Sequence, residues 1–222
     1  MPLHRRLGAE FLGTALLLAT VVGSGVMGTD LSEGNKGVAL LANAGSTAGM
    51  LYVLIALLGP ISGAHMNPAV SLVARLRGEL GSRELLGYTV VQLAGATAGV
   101  LLAHLMFGLD VIQPGDRIRS GPAQWLSESV ATFGLVITIF VGVRHRRAAM
   151  PVLVAAYIFA AYWFTASTSF ANPAVTVARS MTRTFAGIRP DDVAGFVAAQ
   201  VVGALAGWTI ATMLVGPAER KQ

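Results

Sequence analysis

Six stretches of about 20 apolar residues, at roughly 7–27, 38–58, 86–108, 124–143, 149–166 and 193–215, make up most of this 222-residue chain. A run of that length, coiled as a helix, crosses the ~30 Å hydrocarbon core of a bilayer. Each run is rich in Leu, Val, Ala and Gly and apolar nearly all round, as helices embedded in lipid are. Charged residues make up 12% of the chain, against about 25% in a soluble domain. That is too few to cover a surface facing water. The expectation is an all-α membrane protein with six transmembrane helices. The first run follows Arg5 and Arg6 but carries Glu10 and continues to Met27 with no clear small-residue cleavage site, so it reads as a retained span.

The joints carry turn and charge signals. Thr29 to Gly37, Arg75 to Glu84 and Val111 to Pro122 are polar or rich in Gly and Pro, Arg144-His145-Arg146-Arg147 forms a short basic turn, and Asp191-Asp192 precede the last span. The net charge of +5 comes from these short tracts, which fits membrane topology and argues against nucleic acid. With the N-terminus in the cytoplasm, that side holds ten basic residues: Arg5, Arg6, Arg75, Arg77, Arg83, Arg144, Arg146, Arg147, Arg220 and Lys221. Six remain opposite: Lys36, Arg117, Arg119, Arg179, Arg183 and Arg189. Both termini are therefore expected in the cytoplasm of a multi-pass protein of the cell inner (plasma) membrane.

The chain repeats itself. Ala9-Glu10-Phe11-Leu12-Gly13-Thr14 in the first span matches Ser127-Glu128-Ser129-Val130-Ala131-Thr132 in the fourth. The stretch from Gln92 to Gly99 in the third matches that from Gln200 to Gly207 in the sixth. Three spans per half put the second half, about 120–222, into the membrane from the side opposite the first, about 1–110. The result is one channel domain built as an inverted repeat.

Asn67-Pro68-Ala69 and Asn172-Pro173-Ala174, each followed by valine, occur 105 positions apart, once in each half. Asparagine caps a helix start and proline fits its first turn, and a single copy would mean no more than that. Residues 67–76 and 172–182 are too short to span the bilayer and would reach about halfway as helices. Backbone that is not helical at membrane depth must be buried in protein or line water. His65-Met66 and Phe170-Ala171 are therefore expected at a wet lumen. The amides of Asn67 and Asn172 would donate toward passing solute, and two positive helix ends would oppose cations.

This pair, with the repeated glutamates, resembles the aquaporin or major intrinsic protein family over essentially the whole chain. The resemblance implies six tilted helices plus two re-entrant half-helices, one pore per protomer, a homotetramer, and passive flux of water or small neutral solutes. It gives Glu10 and Glu128, ionisable groups within spans, a structural role as braces of the half-helix loops. It also implies a narrow selectivity filter lined by Thr47, Ala160, Ser169 and Val175, with Thr47 and Ala160 placed by counting along helices. Relatives that conduct mainly water usually carry arginine where Val175 stands. Valine supplies neither the charge nor the five donors of a guanidinium. A wide mouth with two hydroxyls and two apolar walls suits polyols, urea-like amides, neutral metalloid hydroxides such as arsenite, and methylated arsenicals. The stretch 161–170 is also similar to bacterial aquaglyceroporins associated with arsenic resistance.

His65 reads as a pore accessory that bonds nearby backbone. Arg179, four residues beyond Val175 and on the same helix face, either bonds loop carbonyls or reaches back toward the mouth. Gly95, Gly99, Gly203 and Gly207 read as close-packing positions. Tyr52, Tyr157, Tyr162 and Trp163 read as interfacial or packing aromatics. No nucleophile–base pair or metal-ligand spacing occurs and cysteine is absent, so neither an enzyme nor a cofactor or metal is expected. The partners expected are membrane lipids and small neutral solutes. Two other readings stand beside the solute channel: a mainly water-conducting pore with an unusual filter, and a coupled secondary transporter.

Overall fold

A computed structural model describes residues 1–216. Arg220 and Lys221, counted above toward topology, lie outside the described residues. Among the described residues eight α-helices run in order: α1 (Leu3–Leu31), α2 (Lys36–Ser62), α3 (Pro68–Leu76), α4 (Ser82–Met106), α5 (Pro122–His145), α6 (Met150–Phe164), α7 (Pro173–Arg179) and α8 (Val193–Val215). Six are long and apolar enough to cross a membrane, with a 3-10 turn at Arg147–Ala149 lengthening α6 and another at Pro190–Asp192 preceding α8. The other two, α3 and α7, are the half-helices. No strand occurs among the described residues.

Local chemistry sets the helix ends. Asn35 caps α2, its Oδ1 accepting from the Gly37 and Val38 amides at 3.0 and 3.2 Å. Asn67 and Asn172 cap α3 and α7 in the same way, each with proline in the first turn. The second half-helix is shorter than the expected 172–182, stopping at Arg179. Past Arg179 the chain tightens, Ser180 N donating to Val177 O at 3.2 Å and Met181 N to Ala178 O at 3.0 Å, while the Ser180 and Met181 carbonyls accept from Gly115 N at 2.8 Å and Gln113 N at 3.3 Å in the chain between α4 and α5.

The two halves repeat one packing scheme. α1 packs along α4, and α5 packs along α8. A Cβ added at Gly95 or Gly99 of α4 would run into the Phe11 or Ala15 carbonyl of α1. At Gly203 or Gly207 of α8 it would meet the Ser129 or Phe133 carbonyl of α5. Backbone-to-backbone contact at equivalent positions is the packing that small residues permit in membranes. α2 and α6 meet at the seam between halves. Leu17, Val21, Leu51, Leu54, Leu135, Val154 and Ile158 are buried inside, while Leu41, Leu57, Leu86, Val152, Val202 and Met213 face outward, an apolar exterior that suits lipid.

The start of α1 and the end of α8 share one side, called here the terminal face. α3 runs from mid-membrane to that face, and α7 runs from mid-membrane to the opposite one. This is the aquaporin fold: six spanning helices, two re-entrant half-helices and an inverted three-helix repeat.

Candidate functional site: a pore between two half-helices

Each half-helix loop is held by a buried carboxylate. Glu10 Oε1 accepts from Ser62 Oγ at 2.6 Å and His65 N at 2.9 Å, and its Oε2 accepts from Met66 N at 2.6 Å and Gln92 Nε2 at 2.8 Å. Glu128 does the same in the other half. Its Oε1 takes Phe170 N at 2.9 Å, and its Oε2 takes Ala171 N at 2.9 Å and Gln200 Nε2 at 2.6 Å. Both carboxylates are fully buried. Loops that descend to mid-membrane expose amides with no helical partner, and a buried acceptor satisfies them.

The glutamines extend the same network. Gln92 Nε2 also donates to Ser71 Oγ at 3.1 Å, and Ser71 donates to Asn67 O at 3.0 Å. Gln200 Nε2 donates to Thr176 Oγ1 at 2.8 Å, and Thr176 donates to Asn172 O at 2.9 Å. The repeat pairs Gln92 with Gln200 in the sequence but does not by itself show their task. Their equivalence was the available signal.

The loops also carry unusual backbone. Ala64 and Met66 in one, and Thr168, Ser169 and Ala171 in the other, have φ between 47° and 62°. Left-handed geometry at residues other than glycine costs energy and persists only where surroundings over-determine it. Here the glutamates and the crossed asparagines supply that constraint. Asn67 Nδ2 donates to Ala171 O and Asn172 Nδ2 to Met66 O, both at 2.8 Å. Each amide keeps a second N–H, and both asparagines line the cavity. Pro68 and Pro173 fill the first turns, while Ala69 and Ala174 are buried behind them.

A cavity of about 730 Å³ runs between the halves. Glu79, Arg147 and Ala148 line it at the terminal face. Asn67 and Asn172 line its middle, and Thr47, Tyr162, Ser169, Val175 and Arg179 line it toward the opposite face. The remaining wall is largely aliphatic, including Leu17, Val21, Leu51, Val70, Leu135, Ile139, Val154 and Ile158. Such a lining gives a polar solute few stopping points outside the asparagines and the far mouth.

The mouth differs from the sequence expectation at one position. Ala160 is exposed on the outside of α6 and does not line the cavity. The lumenal stripe of α6 is Val154, Ile158 and Tyr162, at four-residue spacing. At 100° per residue, position 160 lies about 200° from either neighbour on that stripe and so turns away. Tyr162 was expected as a packing aromatic. It is 3% exposed, and its hydroxyl lies 3.3 Å from Thr47 Oγ1. Thr47, Ser169 and Val175 all line the cavity. Tyr157 packs instead, donating to Ala131 O at 2.9 Å, and Tyr52 and Trp163 are half-exposed on the outer surface.

His65 lines the cavity, but its ring is tied back. Nδ1 bonds Ser71 Oγ at 3.1 Å, and the ring meets Tyr88 edge to face at 5.3 Å between centroids. Arg179 is 2% exposed, and its Nε donates to Ala186 O. Arg119, to which no role was given from sequence, strings the loops of that face together. Its Nε donates to Gly187 O at 3.0 Å, its Nη1 to Ser167 O at 2.8 Å, and its backbone N to Asp192 Oδ2 at 2.7 Å. Burial pushes this guanidinium well below its usual pKa, and the charge of Arg179 pushes the same way. No group of three or more His, Asp or Glu side chains that could hold a metal occurs among the described residues.

The profile of the family described as "Major intrinsic protein" matches residues 1–169. The chain belongs to the major intrinsic protein family. This major intrinsic protein is 56% identical over 216 residues to aquaglyceroporin AqpS of Rhizobium meliloti (strain 1021), covering 97% of this chain and 92% of that one. It is 32% identical over 145 residues to the glycerol uptake facilitator protein of Streptococcus pneumoniae (strain ATCC BAA-255 / R6), covering 59% and 61% of the two chains. Its fold superposes on the X-ray structure of the aquaglyceroporin from Plasmodium falciparum with a TM-score of 0.75 at 16% identity, over 96% of this chain and 95% of that one. The protein is a multi-pass membrane channel for small neutral solutes and not an enzyme.

Proposed function

We propose that the pore passes glycerol-like polyols, neutral metalloid hydroxides such as arsenite, and methylated arsenicals, as well as water. One observation carries the reading. Val175 lines the lumen directly after the second Asn-Pro-Ala, so the solute meets an aliphatic wall there in place of a fixed charge. Two hydroxyl-bearing residues, Thr47 and Tyr162, line the same stretch of lumen. An uncharged solute with one polar and one less polar side can hydrogen-bond to those hydroxyls while its other side contacts valine. The relatives named for glycerol uptake and as aquaglyceroporins support the same class of cargo.

In this reading the whole chain is a single channel domain of two repeats, about 1–110 and 120–222. The terminal face is cytoplasmic, consistent with its excess of Arg and Lys, and the membrane is the cell inner membrane. Four copies associate through their lipid-facing helices, each with its own pore.

Stopped-flow on reconstituted vesicles tests the reading by comparing water, glycerol and arsenous acid flux for the wild type and Val175→Arg. Arginine at 175 is expected to cut glycerol and arsenous acid flux by about tenfold or more while sparing water. Equal rates in the two proteins would show that position 175 does not set the size limit. Uphill movement of solute driven by an ion gradient would favour a coupled transporter instead.

A further inference from the structure

Position 175 carries no charge, yet a guanidinium stands in the same wall. Arg179 begins one helical turn beyond Val175 on α7 and lines the cavity with it. Its Cζ lies 3.4 Å from the centroid of the Phe170 ring, and its Nε is spent on the Ala186 carbonyl. Phe170 is in turn fixed by the Arg119 guanidinium at 4.8 Å and by Phe196 edge to face at 5.2 Å. The Arg179 side chain is thus clamped along its length.

Its two terminal nitrogens are left over. Among the described residues neither has a protein acceptor, and neither is sealed inside the protein without one. In a residue that is 2% exposed and lines the cavity, those N–H groups face the lumen.

We propose that Arg179 is the specificity-determining cation of this pore, set back by one turn from the position directly after the asparagine-proline-alanine motif. Placed there, it separates two properties that an arginine at 175 would tie together. The lumen beside Val175 stays wide, while the positive charge that repels cations and the N–H fork that binds oxygens are kept. The ligands this fits are compact neutral molecules with two or more hydroxyl oxygens on one side. Two of those oxygens would accept from Arg179. The proposal rests on the solute-channel reading and deepens it.

The test uses full-length protein in vesicles, read for glycerol flux and for sodium and proton leak. Arg179→Met keeps the length of the side chain and its contact with Phe170 but removes charge and donors. Cation leak is expected to rise about tenfold or more relative to wild type, with glycerol flux falling several-fold. Adding Val175→Arg to that variant should restore the cation barrier and reduce glycerol flux further. Unchanged leak and unchanged glycerol flux in Arg179→Met would overturn the proposal.

Should Arg179→Met fail to assemble, Thr47→Asp serves with Arg179 intact. A carboxylate at 47, on the lumen that Arg179 also lines, is neutralised by the guanidinium, so cation leak stays at the wild-type value. A leak raised about tenfold would mean that no cation faces that site, and the proposal would fall. Wild-type vesicles no more permeable to glycerol than protein-free vesicles would instead overturn the solute-channel reading itself.

Discussion

Asn172 reaches across the repeat to bond Met66: its Nδ2 donates to the Met66 carbonyl at 2.8 Å, and Asn67 returns the same bond to Ala171. Each asparagine thereby caps its own half-helix, fastens the loop of the other half and presents one N–H to the lumen. The pore centre is a joint between halves, so what holds one loop also positions the other.

Glu128 is the brace behind one side of that joint. Glu128→Gln puts an amide group where three donors converge from Phe170, Ala171 and Gln200. One of the two terminal atoms then faces a donor as a donor. The expected loss is about 2–3 kcal/mol, seen as a lowered unfolding temperature in detergent with reduced water flux. Glu10→Gln, with four donors to disappoint, should cost at least as much. A variant as stable as wild type would show that the carboxylate does not carry its loop.

The glycines of α4 and α8 make a second, sharper case. Gly203→Val places a side chain against the Ser129 carbonyl, which is backbone and cannot turn aside. Overpacking of this kind costs about 1–3 kcal/mol, and a rigid neighbour pushes it to the upper end. Gly45→Ala is the control, since nothing lies within 4 Å of a Cβ built there. It should be neutral or slightly stabilising, by about 0.5–1 kcal/mol. Thermal melts of both variants in detergent decide it.

The absence of cysteine makes the chain ready for cysteine scanning. Mercurials and methanethiosulfonates should leave wild-type flux unaltered. Val175→Cys and Ile158→Cys face the cavity, and their flux should fall about tenfold or more on modification, because the added group fills the lumen. Ala160→Cys, on the outer face of α6, should retain its flux under the same treatment. Block at 160 with none at 158 would mean that α6 is rotated by half a turn.

Tyr162→Phe keeps the ring but removes the hydroxyl that meets Thr47. One hydrogen bond of about 1 kcal/mol corresponds to a several-fold change. Glycerol flux should fall by that factor, while water, which needs fewer simultaneous partners, changes less. Stopped-flow of both solutes through one preparation gives the ratio directly.

The residues that sequence could identify were those whose role depends on local chemistry or on repetition. Asn67 and Asn172 announce themselves as capping residues before proline, and their recurrence in both halves marks them as a pair. Glu10 and Glu128 stand out because a carboxylate inside an apolar run needs an explanation. The glycines were legible from their four-residue spacing. The filter was less so, because it draws single residues from α2, α6, α7 and the loop before α7. One residue of miscounting on a helix rotates a side chain by 100°, and two residues turned Ala160 outward in place of Ile158 or Tyr162.

Sequence alone therefore determined the six spans, the two half-helices, the inverted repeat and the missing charge at 175, each written in spacing or in one residue. Tertiary structure decided the rotation of α6 and the pairing of the Ser180 and Met181 carbonyls with the chain before α5, just past the end of α7. It also decided the course of Arg179, which bonds Ala186, lies over Phe170 and still lines the lumen. The alternatives open to that arginine differ only in which distant groups come near it. Nothing in its neighbours along the chain distinguishes them.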